Sequence, residues 1–165
     1  MIFSIGIDPG WKSCGIAIVR DDKTIFTANL PPNELGLLHG VNNVIKVLND
    51  TVFSNNPTEV KAYIERFVTY NGAMVPTAEK TLMFIGAMQY ALEVNGVQVK
   101  LEKAIDWKIK LLHFLVSTTG FKNPYDSMNK KFSQLVASTL SNIPVKKLSL
   151  HEADAICLSY LYKVE

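Results

Sequence analysis

The sequence predicts an α/β fold, a five-stranded mixed β-sheet flanked by α-helices on both faces, built as a single domain over residues 1–165. Three observations predict it. Short turns join three apolar segments at the N-terminus, and such hairpin connections make neighbouring strands antiparallel. An amphipathic helical stretch then separates the third segment from a fourth, the crossover that makes strands parallel. The last third reads as consecutive helices, which need a sheet face to cover.

Taken in order, Ile2 to Asp8 is the first strand, with Phe3, Ile5 and Ile7 on one side and Ser4, Gly6 and Asp8 on the other. Pro9-Gly10 ends it. The second strand runs over about Gly15 to Val19 and the third over about Thr24 to Ala28, joined at Asp21-Asp22-Lys23. After Pro31-Pro32, the spacing of Leu37, Leu38, Val41, Val44, Ile45, Leu48 and Val52 predicts an amphipathic helix that Asn55-Asn56-Pro57 terminates. Val60 to Ile64 returns as a strand ending at Glu65. Thr77 to Val94 is a helix with more than one apolar face, through Leu82, Ile85, Gly86, Ala87 and Met88. Such a helix is buried on two sides or given partly to a subunit contact, and Ile85 and Met88 are the expected contact residues. A fifth strand follows at Val97 to Leu101. Three helices complete the chain: about 104–116 on an Ile105, Ile109, Leu112 and Val116 stripe, about 127–140 with Met128, Phe132, Leu135 and Val136, and about 149–163.

Composition removes several function classes. At 48% hydrophobic and 19% charged, the chain supports a packed core and is unlike disordered sequence. Its longest mostly apolar window, Leu82 to Leu92, contains Gln89 and falls short of the roughly 20 residues a spanning helix needs. The first eight residues lack a secretory pattern, so a soluble, intracellular protein is expected. Cys14 and Cys157 fit neither a disulfide framework nor a zinc spacing. Net charge is +2, but residues 100–147 carry nine lysines against Glu102, Asp106 and Asp126. Such a block suits a polyanion, since neutralised phosphates release counterions; it also suits a pair of solvated helices.

Three carboxylates stand out by context. Asp8 and Glu65 end apolar strands, and Asp154 lies on the last helix in His151-Glu152-Ala153-Asp154-Ala155. Sheets of this class bind ligands beyond the carboxyl ends of their strands. Carboxylates beside a core are costly unless paired or metal-bound, and oxygen donors select magnesium or manganese. Alone, Asp8 is also a turn-former, Glu65 an ion-pair partner for Arg66, and Asp154 a charge favoured near a helix N-terminus. Ser149-Leu150-His151-Glu152 matches a capping box, so Glu152 is either a cap or a metal ligand.

Gly6-Ile7-Asp8-Pro9-Gly10 with Gly15 five residues on, Tyr63-Ile64-Glu65, and His151-Glu152-Ala153-Asp154-Ala155 together resemble the RuvC-type Holliday junction resolvases. The resemblance runs in order along essentially the whole chain and is nearest to compact phage-encoded members. It implies a ribonuclease H-like fold and a homodimeric endonuclease that nicks opposed strands of a four-way DNA junction. The alternatives are a less selective branched-DNA nuclease, acting on forks and flaps, and a junction-binding protein without cleavage. An actin-like ATPase, which begins with a similar strand and turn, needs two duplicated lobes that 165 residues cannot supply.

By resemblance, Asp8, Glu65 and Asp154 hold two divalent ions per site, Mg2+ with Mn2+ as a substitute, in two-metal phosphodiester hydrolysis. Glu152 is a further candidate ligand. His151, three residues before Asp154 and on the same helix face, is the fourth catalytic candidate, as a proton relay or as a ligand. Lys108, Lys130 and Lys131 match family lysines that contact junction phosphates. Bacterial members place an aromatic three residues after the Glu; here Val68 stands there, with Phe67 and Tyr70 nearby as DNA-contact candidates, Phe67 being equally a core candidate. Neither an organic cofactor nor a membrane is implied. The expected location is the cytoplasm, that of an infected bacterium for a phage-encoded member.

Overall fold

The computed structural model describes residues 1–31, 36–68, 76–125 and 127–165. Its strands are β1 (Ile2–Pro9), β2 (Cys14–Arg20), β3 (Lys23–Leu30), β4 (Glu59–Arg66) and β5 (Gln98–Lys103). They form one sheet in the order β3-β2-β1-β4-β5. The β1–β2 and β2–β3 pairs are antiparallel, while β1–β4 and β4–β5 are parallel. The expected mixed sheet is therefore present, with β1 at its centre. Asp21 and Asp22 both take positive φ, 48° and 68°, the backbone a two-residue hairpin turn demands and one that Asp tolerates.

Helices α1 (Leu37–Thr51) and α2 (Pro76–Val94) cover one face, and α3 (Ala104–Thr119), α4 (Lys130–Ser141) and α5 (Leu150–Ser159) cover the other. The alternation of β1 divides the core between them. Phe3, Ile5 and Ile7 join Ile16, Ile18 and Ile64 under α1 and α2. Ala17, Val19 and Tyr63 lie under α3, α4 and α5 with Trp107, Phe132 and Ile156. Helix ends differ from expectation by a few residues, and at the start of α4 a polar residue fixes the boundary. Asn129 caps α4 by accepting from the Phe132 N–H at 3.1 Å, so the helix starts at Lys130. After Ser159, α5 gives way to a separate 3-10 turn at Leu161–Lys163.

Two apolar faces are assigned differently from the periodicity. On α3 the buried stripe is Trp107, Leu111 and Leu115, whereas Ile105 (48% exposed) and Val116 (50%) face outward. On α2, Ile85 and Met88 are core residues, and the exposed stripe is Leu82, Met83, Tyr90 and Val94. Both helices are apolar on two sides, so hydrophobic spacing alone does not choose the inner one. Among the described residues no helix is long and apolar enough to cross a membrane.

Candidate active site

Ile7 pairs with Ile64 across β1 and β4, and Asp8 and Glu65 are the next residues of each strand. Alternation turns both toward the face that α3, α4 and α5 cover. Helix α5 lies against β1 and β2 there because two glycines leave no side chain in its way. A Cβ added at Gly6 would sit 1.9 Å from the Ala155 carbonyl oxygen, and one at Gly15 would sit 2.1 Å from the His151 carbonyl oxygen. This close approach brings His151 and Asp154, one turn apart on α5, to the end of β1.

His151 Nδ1 and Asp8 Oδ2 are 2.6 Å apart. That bond, above all, raises the proton affinity of His151, with burial opposing it. A charged imidazole donates to the carboxylate in a short, charge-assisted bond. Trp107, fully buried on the inner face of α3, donates its indole N–H to Glu65 Oε2 at 3.0 Å. Burial is the main cause that pushes Glu65 up to about 7; the charges of Asp8 and Asp154 add to it, and the Trp107 bond and Lys108 oppose it. Asp154 is also raised, by burial and then by Asp8, against the Ser133 hydroxyl, Lys108 and His151. Its Oδ1 is buried with no hydrogen-bond partner among the described residues.

Asp8, Glu65 and Asp154 come from three elements and meet in a half-buried site, where Glu65 and Asp154 are held toward the neutral form unless a cation joins them. The donor set is all oxygen plus one imidazole, which suits magnesium or manganese. An orphaned carboxylate oxygen at Asp154 fits the same group. Among the described residues no three such side chains are drawn close enough to form a closed metal cluster. Asp8 and Glu65 each spend one oxygen on a neighbour instead, His151 and Trp107.

The remaining candidates separate. Glu152 is engaged elsewhere, which corrects its place among the candidate ligands. Its Oε2 accepts from the Ser149 N–H at 3.2 Å, the Ser149 hydroxyl accepts from the Glu152 N–H at 3.2 Å, and Thr27 donates to Oε1 at 3.4 Å. The capping box explains the residue, and side chains two apart on a helix diverge. Lys108 lies close enough to act on Glu65 and Asp154, and Lys130 acts on His151. Lys131 is exposed beside it on α4. Phe67, one residue beyond β4, is 39% exposed and is not core. Tyr70 lies outside the described residues.

Sequence reasoning missed Trp107 and Ser133, which come from the two helices read as nucleic-acid binding. For Trp107 a signal existed: a buried indole N–H must find an acceptor, and Glu65 was an acceptor in need of a donor.

No family model matches the sequence, and no curated protein matches it. Solved structures do. The structure described as T. thermophilus RuvC in complex with Holliday junction substrate superposes with a TM-score of 0.70 at 18% identity, over 96% of this chain and 90% of that one. A second Thermus thermophilus RuvC structure gives 0.66 at 17% identity, over 95% and 90%. The yeast mitochondrial Holliday junction resolvase Ydc2 gives 0.52 at 13% identity, over 96% and 75%. The fold is ribonuclease H-like. That agrees with the expectation from the sequence in class, strand number and helix placement.

Proposed function

We propose that the protein is a RuvC-type, divalent-metal-dependent endonuclease that resolves four-way DNA junctions, working in the cytoplasm as a homodimer. The observation that carries this reading is the meeting of three carboxylates at the ends of β1 and β4 and on α5, where burial and then the charge of Asp8 raise Glu65 and Asp154, in a fold shared with a junction-bound resolvase. Asp8, Glu65 and Asp154 would hold the metal, Mg2+ or Mn2+, two ions per site. Bound metal supplies Lewis-acid chemistry there, activating a water and stabilising the leaving 3′ oxygen. His151, tied to Asp8 through Nδ1, keeps a proton at the rim of the site and orients the Asp8 carboxylate. Lys108 and Lys130 offset the negative field of the site where phosphate must approach, and Lys131 extends that basic strip along α4. The exposed apolar stripe of α2 supports the homodimer. Two-fold symmetry would set two sites against two opposed strands.

A broader branched-DNA nuclease is the second reading, and Val68 favours it, since an aliphatic residue stands where bacterial members carry an aromatic. Incubation with labelled four-way junction, fork and duplex, with Mg2+ or with chelator, separates the readings. Paired incision of the junction only with metal is expected. Equal cutting of forks supports the broader nuclease, and binding without cutting in Mg2+ and in Mn2+ marks a non-cleaving junction binder. Asp8→Asn is expected to abolish cleavage while junction binding in chelator persists or tightens, because one negative charge facing phosphate is gone. Alanine at Lys108, Lys130 and Lys131 together weakens binding and flattens its dependence on salt.

A further inference from the structure

We infer that Trp107 is the positioning residue of the metal site: its indole fixes one oxygen of Glu65 and leaves the other to a divalent cation. The inference rests on reading Asp8, Glu65 and Asp154 as metal ligands. Trp107 is fully buried, and its only polar atom, the indole N–H, is spent on Glu65 Oε2 at 3.0 Å. A side chain serving only to fill the core would not need to bury a carboxylate beside two others. The kind of donor matters. An arginine or lysine in this place would neutralise Glu65 and compete with a cation, whereas a neutral indole orients the carboxylate and leaves its charge in place. The ring also lies beneath Lys108, whose Nζ stands 5.1 Å from the ring centroid. Trp107 is therefore clamped between core and cation, and its hydrogen bond is held in one direction.

The chain provides its own probe, because Trp11 and Trp107 are its two tryptophans. In Trp11→Phe, indole emission reports Trp107 alone. Titration with Mg2+ is expected to change that emission saturably, at the same concentrations at which calorimetry detects binding to wild type. Glu65→Gln should lose both signals. Trp107→Phe should bind Mg2+ and Mn2+ about tenfold more weakly or worse, the usual consequence of removing a partner of a metal ligand. Glu65-dependent binding by calorimetry, with unchanged Trp107 emission and unchanged affinity in Trp107→Phe, overturns the inference and makes Trp107 a core residue. If Trp107→Phe fails to melt cooperatively, the emission of Trp11→Phe decides alone. Absence of any Glu65-dependent binding in wild type overturns the metal reading itself and this inference with it.

Discussion

On the face covered by α1 and α2, Phe3, Ile5 and Ile7 of β1 meet large aliphatic side chains and the layer is closed by bulk. On the opposite face Ser4, Gly6 and Asp8 of the same strand lie under α5, and the layer is closed by the absence of bulk. The first face contributes apolar burial, which is tolerant of small changes in shape. The second sets a helix backbone almost on a strand backbone, and that proximity carries two of the four candidate catalytic residues to Asp8. Stability and site geometry are thus drawn from different sides of one sheet.

The largest expected effect follows at once. Gly6→Ala or Gly15→Ala puts a Cβ about 2 Å from a backbone oxygen of α5, and backbone cannot swing aside as a long side chain can. Each should cost about 3 kcal/mol or more in urea unfolding and should push His151 and Asp154 away from Asp8. Ile5→Val on the other face removes one methyl group and should cost about 1 kcal/mol. Equal, small losses at Gly6 and Ile5 would show that α5 is free to move and that the two faces are alike.

The second effect separates the faces by pH. Among the described residues the α1 and α2 face has no buried carboxylate, whereas the other holds Glu65 at about 7 against an ordinary 4.5. A carboxyl whose folded value is raised contributes stability that is complete below its unfolded value and is lost as pH rises through the folded one. In chelator, stability should fall by about 2–3 kcal/mol between pH 4.5 and 7.5. Asp154 and His151 are also raised and act in the same direction. Glu65→Gln should flatten the profile, and Ile5→Val should lower it uniformly. A flat wild-type profile of melting temperature in chelator would remove the repulsion from the site.

How much of this was legible depended on whether a residue interrupts a pattern. Asp8, Glu65 and Asp154 interrupt apolar runs, so a sequence reading finds them, and the two hairpins and two crossovers follow from turn residues and spacing. The inner face of α3 was illegible, because Ile105, Ile109, Leu112 and Val116 make as good a stripe as Trp107, Leu111 and Leu115. The decision is tertiary: the indole both joins the core on this face of the sheet and satisfies Glu65. Ser133 was hidden for a related reason, since a neutral residue on the inner face of a helix carries no charge signal. The Glu152 cap was legible locally, because its partner Ser149 is three residues away.

Gly86 gives the same substitution the opposite sign. It lies within α2, and a Cβ there meets nothing within 4 Å. A mid-helix glycine costs roughly 0.5–1 kcal/mol relative to alanine. Gly86→Ala should therefore raise stability by about that amount under dilute conditions. Destabilisation in chemical unfolding at low protein concentration would mean that the outer face of α2 is packed within one chain.

Tyr90 should change folding least and association most. It is 71% exposed on the outer face of α2, in line with Met83 and Val94, while Met88 two residues earlier is fully buried. Tyr90→Lys exchanges one exposed side chain for another, and its effect on folding of the isolated chain should stay within about 0.5 kcal/mol. Met88→Lys buries an unpaired charge and should unfold the protein, so it tests nothing about assembly. If two copies meet along α2, Tyr90→Lys sets two ammonium groups near a symmetry axis and removes two aromatic contacts at once. Sedimentation should then show wild type as a dimer at micromolar concentration and the variant as a monomer with an unchanged melting curve in dilute solution. Incision of a junction should fall from paired cuts to single nicks, since each monomer still carries a complete carboxylate set. A wild type that sediments as a monomer would leave the α2 stripe as exposed apolar surface and would require the two nicks to come from successive encounters.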